Sequence, residues 1–301
     1  MILKAHLSVR SQPAYQRAWD TFRKFCADYS VDCNNPSPTD FVLFLSFLKI
    51  SQYSPASIST MASQIGYVFH LKGLSNPCSH LFVKKALSGL QKLNPQINSR
   101  LPITIDILRK LIISLDFLFT NDYKVRLFRA MFSLSFFGFL RPGEIAPRTA
   151  LSKVLTLNDA AIHGPPSSGL HITFRDYKHN TGNRPFILHI APHVDPKLCP
   201  VNLLADYLAV RVTSSKCTKA SVPLFVQDNG NPVSSSLFAT TLRDCILSLG
   251  LDPTSFKSHS WRIGAASWAA SRGFSDDHIR KLGRWKSDAF KKYIRNSLYT
   301  I

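Results

Sequence analysis

The chain has 301 residues, enough for one large domain or two of ordinary size with a substantial buried core. Hydrophobic residues make up 45% of it and charged residues 18%, a composition that excludes an intrinsically disordered chain. Lys and Arg total 37 against 18 acidic residues, and this net charge of +19 indicates a polyanionic partner, nucleic acid before an anionic membrane surface.

Residues 1–98 predict a helical domain. A first helix is expected where apolar residues recur on one face at helical spacing from Tyr15 to Tyr29. Ser37-Pro38 and Ser54-Pro55 each place a capping hydroxyl before a proline at the first helical position, and a fourth helix is expected near residues 79–93. Ten Lys and Arg against four Asp give the segment a net charge of +6. We expect a small DNA-clamping domain, although a plain helical bundle fits these residues equally well.

A polar, proline-bearing link between Asn94 and Pro102 predicts a domain boundary, so that a second domain spans residues 99–301. Helices are expected at 104–115 and 122–140, and again after Pro200. Runs of strand-like residues lie at 154–157, 170–174 and 185–190. The turn-rich segment between the last two predicts a β-hairpin with Lys178 at or near its tip. The expected fold is therefore mainly helical with a small antiparallel sheet.

The first segment with chemical character is Gly-Phe-Leu-Arg-Pro-Gly-Glu-Ile, from Gly138 to Ile145. Arg141 stands where a very apolar helix is expected to stop, and the following proline begins a new helix. Glu144, the only glutamate in the chain, lies three residues later, so one helical turn brings it beside Arg141. Glu144 could hold the guanidinium towards a ligand, or the pair could be a structural ion pair at a helix junction.

The second segment is His-Ser-Trp-Arg-Ile-Gly-Ala-Ala, beginning at His259. His259 and Arg262 are three residues apart on an expected helix and project from one face. An imidazole beside a guanidinium suits proton transfer next to an anion, whereas a partly buried histidine with an ordinary surface arginine is the unremarkable alternative. A metal site is a poorer interpretation, because no second histidine or carboxylate stands at ligand spacing.

Two short helices are expected after this segment. Ser275 followed by two aspartates opens the first, which Gly283 ends, and Ser287 opens the second, which contains Tyr293. The run between them places Trp285 at a turn.

Taken together, His-Ser-Trp-Arg-Ile-Gly-Ala-Ala, Leu-Gly-Arg-Trp and Lys-Tyr-Ile-Arg, in this order, resemble the catalytic-domain signature of the tyrosine recombinases, or phage integrase family. The form Leu-Gly-Arg-Trp-Lys-Ser-Asp-Ala-Phe looks nearest to the recombinases of DIRS-like and Crypton-like mobile elements. Family members join a helical N-terminal core-binding domain to an α+β catalytic domain, so the resemblance extends over the whole chain.

Carried over by motif, the resemblance implies six catalytic residues and one supporting residue. Its expected catalytic set is Arg141, Lys178, His259, Arg262, Trp285 and Tyr293, with Tyr293 as the nucleophile and Glu144 supporting the first arginine. Trp285 fills a position that holds His or Trp in the family and could equally be a packing residue. Lys178 is the weakest match, with Arg175 and Arg184 as rivals in the same hairpin, and Tyr299 is a rival nucleophile.

The residue types fit a phosphoryl transfer. Two guanidiniums offer permanently charged donors for the oxygens of a phosphodiester, so neither a metal ion nor another cofactor is expected. The 3′-phosphotyrosine that the resemblance implies conserves the bond energy, so religation needs no ATP. The expected function is site-specific recombination or integration of double-stranded DNA. The alternatives are a catalytically silent DNA-binding protein derived from a mobile element and, less favoured, a type IB topoisomerase.

The sequence also suggests the cellular compartment and the oligomeric state of the protein. Its six scattered cysteines predict a reducing compartment, and its longest apolar stretches are too short to cross a bilayer, so no membrane partner is expected. The resemblance implies a tetramer on two DNA sites, in which family members commonly place a longer C-terminal segment on a neighbouring protomer and so couple the active sites. Only eight residues follow Tyr293 here, which puts that coupling in doubt. Localisation would be nuclear in a eukaryote and cytoplasmic or nucleoid-associated in a bacterium.

Overall fold

The computed structural model describes residues 11–93, 100–148, 154–164, 168–175, 177, 184–211 and 222–295. The chain divides into two compact units, Met1–Asn98 and Ser99–Ile301.

The first unit consists of helices α1 (Gln12–Asp28), α2 (Pro38–Ile50), α3 (Pro55–Leu71) and α4 (Leu81–Leu93). Ser37 and Ser54 cap α2 and α3, each accepting a hydrogen bond from a main-chain N–H in the first turn, as predicted. The core is aromatic: Phe22 is fully buried and packs against the rings of Phe41, Phe44 and Phe69. This unit is a small helical bundle.

The second unit is larger and is also mainly helical. Its helices are α5 (Ile105–Leu118), α6 (Asp122–Phe137), α7 (Pro142–Ile145), α8 (Pro200–Val210), α9 (Ser235–Ser248), α10 (Ser260–Ser271) and α11 (Asp276–Leu282). A 3₁₀ helix follows at Asp288–Tyr293. Helix α6 is central, because it packs against α5, α8 and α10 and most of its side chains are buried.

A three-stranded antiparallel sheet completes the second unit, in the order β1 (Ala160–His163), β2 (Gly169–Phe174), β3 (Phe186–Ile190). Strand β2 buries alternate residues against the helices, and Phe174 pairs with Phe186 at the end nearest the hairpin turn. The architecture confirms the predicted fold class. Among the described residues, no helix combines the length and apolarity needed to cross a membrane.

The strand predicted at residues 154–157 is reduced to an isolated antiparallel bridge between Thr156 and Pro223, and the first strand of the sheet begins at Ala160. The Asp159 carboxylate accepts hydrogen bonds from the Thr156 main-chain N–H at 2.9 Å and from its hydroxyl at 2.7 Å. These bonds wind Leu157–Asp159 into a 3₁₀ turn. Asp159 is buried and also pairs with Arg175, so its carboxylate fixes the turn that ends the extended segment after Thr156.

Candidate active site

The C-terminal ends of α6 and α11 meet at one buried guanidinium. Carbonyl oxygens at a helix end have no partner within the helix. Arg262, which projects from α10 and is 2% exposed, donates from Nη1 to the Phe139 carbonyl and from Nη2 to the Gly283 carbonyl at 2.7 Å. A cation at two helix C-termini also meets the negative ends of both helix dipoles. Arg262 therefore joins the two helix ends that carry the predicted motifs.

Gly283 is the C-cap residue of α11, so the prediction that it ends the helix is confirmed. The residue with positive φ is Arg284, at 54°. Gly283 has an ordinary helical φ, but a Cβ atom there would lie 1.5 Å from the Trp285 ring. Gly283 is thus required by the close approach of Trp285, which the turn folds back over the end of the helix.

Arg141 and Glu144 form the predicted pair. Arg141 caps α7, and its Nη1 lies 2.9 Å from Oε1 of Glu144 while its main-chain N–H donates to Oε2 at 2.7 Å. Its Nη2 donates to the main-chain carbonyl of Arg284 at 3.1 Å. The Arg141 side chain is 20% exposed, whereas that of Glu144 is only 8% exposed. Arg141 is therefore held from behind and still open to a ligand.

Arg284, the arginine of the Leu-Gly-Arg-Trp motif, is a further member of this site for which no role was predicted. Its Nη2 lies 2.6 Å from Oε2 of Glu144, and its guanidinium stacks 3.7 Å from the centre of the Phe174 ring. The only sequence feature that could have suggested a role for Arg284 is an arginine in a turn of a chain that has a single glutamate as its partner.

Burial lowers the pKa of both enclosed arginines. For Arg262 the loss of solvent and then the neighbouring Arg141 and Arg284 lower the pKa to about 9. For Arg284 burial lowers the pKa to about 10, with Glu144 opposing the shift. Both groups remain protonated at neutral pH. Three guanidiniums around one carboxylate leave an excess of positive charge, which favours binding of an anion.

His259 lies directly before α10 as its N-cap residue and not inside the helix as predicted. Burial, followed by the charges of Arg100, Arg262, Arg148 and Arg141, lowers the pKa of its imidazole below the ordinary 6.5. Within the described part of the chain, its buried Nδ1 has no hydrogen-bond partner. The lowered pKa favours the neutral imidazole at physiological pH.

Trp285 and Tyr293 form the aromatic side of the site. The Arg262 guanidinium carbon lies 4.1 Å from the centre of the Trp285 ring and 6.0 Å from that of Tyr293. The two rings are 5.3 Å apart. Both side chains are partly buried. Trp285 therefore packs against both the Arg262 guanidinium and the Tyr293 ring.

Tyr293 is the last residue of the 3₁₀ helix, which two anchors hold against α10. Phe290 is fully buried. The Ser267 hydroxyl donates to the Tyr293 carbonyl at 3.2 Å and accepts from the Arg295 main-chain N–H at 2.9 Å. Ser267 was not predicted, because one serine on a face of small residues carries no sequence signal. Its contacts fix the backbone that presents the tyrosine.

The structure therefore brings together Arg141, Glu144, His259, Arg262, Trp285 and Tyr293. Lys178 and the rival nucleophile Tyr299 lie outside the described residues, so their placement stays a prediction. Of the rival hairpin cations, Arg175 pairs with Asp159 at 2.9 Å and Arg184 is exposed. In the part of the chain that the structure describes, no group of three or more His, Cys, Asp or Glu is placed to hold a metal ion.

No protein-family model matches the sequence, and no curated protein matches it. Solved structures do resemble it. The Tn1549 transposon integrase in complex with a circular intermediate DNA has a TM-score of 0.65 at 14% identity, covering 98% of this chain and 93% of that one. A lambda integrase dimer bound to a COC′ core site has a TM-score of 0.61 at 14% identity, covering 100% of this chain and 76% of that one.

The XerH site-specific recombinase bound to its difH substrate has a TM-score of 0.50 at 15% identity, covering 82% of this chain and 68% of that one. At such low identity the likeness concerns the arrangement of the backbone. The chain shares the fold of these integrases and recombinases.

Proposed function

We propose that this chain is a tyrosine recombinase that cuts and rejoins double-stranded DNA through a covalent bond between Tyr293 and a 3′-phosphate. The observation that carries the proposal is the cluster around Arg262. Its guanidinium lies near the Trp285 and Tyr293 rings, and the charges of Arg141 and Arg262 act on each other and on His259. The integrase-like fold supports it, since the similar structures of the Tn1549 and lambda integrases were solved with DNA.

The proposed reaction exchanges one P–O bond for another. The Tyr293 oxygen attacks phosphorus and loses its proton, and the bond from phosphorus to the 5′ oxygen breaks. The departing 5′ oxygen takes up a proton and becomes a hydroxyl. Attack by a 5′ hydroxyl from the same or another strand reverses these steps, so no ATP is consumed.

The arginines and the histidine have separate roles in this scheme. Arg141 is the accessible guanidinium and binds the non-bridging oxygens, while Arg262 adds its charge from below the surface. The charge that builds up on these oxygens during attack is therefore stabilised by groups that are already in place. Neutral His259 can accept the tyrosine proton because its pKa is held below the ordinary value.

Lys178 and Trp285 complete the proposed scheme. Lys178, outside the described residues, is the proposed donor of the proton to the 5′ oxygen. Trp285 could give one N–H hydrogen bond to a phosphate oxygen in addition to its packing against Arg262. The proposed scheme uses these protein groups for charge neutralisation and proton transfer.

The finer features of the proposal follow from the sequence motifs. The chain would belong to the branch of DIRS-like and Crypton-like mobile-element recombinases. Residues 1–98 would grip DNA, residues 99–301 would cut it, and the working assembly would be a tetramer on two DNA sites. An excess of Lys and Arg in both segments supports a DNA partner for each.

The proposal is tested by trapping the covalent intermediate. Purified protein is mixed with a pool of nicked DNA duplexes in the presence of EDTA, which removes metal ions. Because of the nick, cleavage releases a short 5′-hydroxyl fragment that diffuses away and leaves the protein attached to the DNA. We expect a protein–DNA adduct that survives SDS, and sequencing of the attached DNA then gives the target site. Tyr293→Phe should abolish the adduct, because the attacking oxygen is missing, whereas the matched variant Tyr299→Phe should retain it.

The other outcomes are equally informative. An adduct that persists in Tyr293→Phe would exclude Tyr293 as the nucleophile. DNA binding without any adduct, after the pool has been enriched for bound sequences, would support a catalytically silent DNA-binding protein. Relaxation of supercoiled DNA without exchange of strands would support a topoisomerase.

A further inference from the structure

Arg284 is the most enclosed charge of the site, with a side chain that is only 1% exposed. Besides its bond to Glu144, its Nη2 donates to the Phe139 carbonyl at 3.3 Å and its Nη1 lies 3.5 Å from the Gly138 carbonyl. The Phe174 ring covers one face of the guanidinium. A side chain surrounded in this way cannot reach a bound DNA strand, so any role it has must act through its neighbours.

Two sets of hydrogen bonds connect Arg284 to Arg141. The Glu144 carboxylate is divided, with Oε1 on the Arg141 guanidinium at 2.9 Å and Oε2 on the Arg284 guanidinium at 2.6 Å. The second terminal nitrogen of Arg141 is bound by the main-chain carbonyl of Arg284 at 3.1 Å. Both terminal nitrogens of Arg141 are therefore oriented by Arg284, one directly and one through Glu144.

The charges of Arg141, Glu144 and Arg284 also support a link between Arg284 and Arg141. With Glu144 bound to Arg141 alone, the carboxylate would neutralise the very guanidinium that has to attract a phosphate. A second guanidinium on Oε2 shares that negative charge, so Arg141 keeps a positive potential towards solvent. The backbone at Arg284 also has a left-handed φ of 54°, which is unfavourable for a residue with a Cβ atom and is kept here.

We infer that Arg284 is a positioning residue for Arg141: through Glu144 and its own carbonyl it fixes the Arg141 guanidinium and preserves its charge for the phosphate. This inference rests on the proposed function only for the identity of the anion. Arg284 itself touches neither DNA nor the reacting atoms.

The decisive experiment is a double-mutant cycle on the trapped-adduct reaction. Arg284→Lys keeps the charge, but one ammonium cannot bond to Glu144 and the Phe139 carbonyl in the geometry of the fork. We expect the cleavage rate at saturating DNA to fall about tenfold to a hundredfold, as for a misplaced catalytic group, with DNA affinity within about threefold of wild type. In an Arg141→Ala background the same change should cause no further loss, because its target is already gone.

The matched control is Arg126→Lys on α6, where Nε of Arg126 lies 2.7 Å from Asp122 in an exposed pair. It should leave cleavage, DNA affinity and the melting temperature unchanged. An equal fractional loss from Arg284→Lys with and without Arg141 would overturn the inference, because the two residues would then act independently. A parallel loss of cleavage, DNA affinity and thermal stability would also overturn it, as a merely structural effect.

A second measurement does not depend on cleavage. In proton–nitrogen NMR spectra of the arginine side chains, the Arg141 signal is identified by its absence in Arg141→Ala. Arg284→Lys should shift this signal and speed its exchange with solvent, while Arg126→Lys should not. An unchanged Arg141 signal would refute the positioning role even if the wild type formed no adduct. Failure of the adduct alone would count against the proposed function and not against this contact.

Discussion

At the scale of single residues, His259 offers a test through pH. Its pKa is lowered in the folded chain by burial and by nearby arginines, so below about pH 6.5 the unfolded chain binds a proton there more readily than the folded chain does. The free energy of unfolding should therefore fall as the pH drops from about 6.5 towards the lower folded-state pKa. In His259→Gln, which cannot be protonated, this part of the decline should be missing.

The measurement is urea unfolding of both proteins at about pH 7.5 and about pH 5.5, within the range over which a histidine titrates. Other acid-sensitive groups are common to both proteins and cancel in the comparison. The same loss of stability on acidification in both would contradict a lowered pKa for His259. In the cleavage assay, the neutral imidazole should also keep the wild type active somewhat below pH 6.5.

A contact in the site could be predicted from the sequence only where its two residues lie close together along the chain. The contact of Arg141 with Glu144 was predictable, because one helical turn joins them, and the structure confirms it. The setting of Arg284 was not, since its partners Gly138, Phe139, Glu144 and Phe174 come from far earlier in the chain. A turn residue gives no sign of the carbonyls and rings that tertiary packing brings to it.

At the scale of elements, α10 depends on a close contact at Gly264. A Cβ atom at this position would lie 1.8 Å from the carbonyl oxygen of Ile103, and the Ile103 main-chain N–H is itself bound to Ser260 at the start of α10. Gly264→Ala must therefore displace backbone, and we expect it to destabilise the second unit by about 1–3 kcal/mol. The shift should also disturb Arg262, two residues earlier on the same helix.

Chemical denaturation measures this effect, with Gly143→Ala in α7 as the control. A Cβ atom at Gly143 would meet no heavy atom within 4 Å, so that variant should be as stable as wild type or slightly more so, by up to about 1 kcal/mol from helix propensity. Equal stability of the two variants would show that Ile103 can move away at little cost.

The elements themselves were predictable in kind and less so in position. Capping serines and prolines marked the starts of α2 and α3 because their effect is local. The strand predicted at residues 154–157 is only an isolated bridge, because the hydrogen bonds of the buried Asp159 carboxylate turn the chain directly after Thr156. The short helix expected after Ser287 is present as a 3₁₀ helix, and Ser267 binds the main chain at its end.

At the scale of the whole molecule, the net charge of +19 predicts binding that weakens steeply with salt. Neutralising DNA phosphates releases counterions, so six to ten such contacts would reduce affinity about 10³–10⁵-fold between 50 and 200 mM salt. Fluorescence anisotropy with labelled duplex measures this, and Tyr293→Phe protein prevents cleavage during the titration. A change of less than about tenfold over that range would show that the basic surface contributes little to DNA binding.

Tyr293 is tethered to α10 of its own chain by the Ser267 hydroxyl and the buried Phe290 ring. The proposed nucleophile therefore belongs to the same polypeptide as the Arg262 guanidinium near its ring. If several copies assembled on DNA, each would cleave with its own tyrosine. A copy with an inactive Tyr293 would leave its site uncut, because a neighbouring copy could not supply the missing tyrosine. In mixtures of active and inactive copies, the yield of single cuts would fall in proportion to the fraction of active copies. The yield of any strand exchange that needs several simultaneous cuts would fall much more steeply.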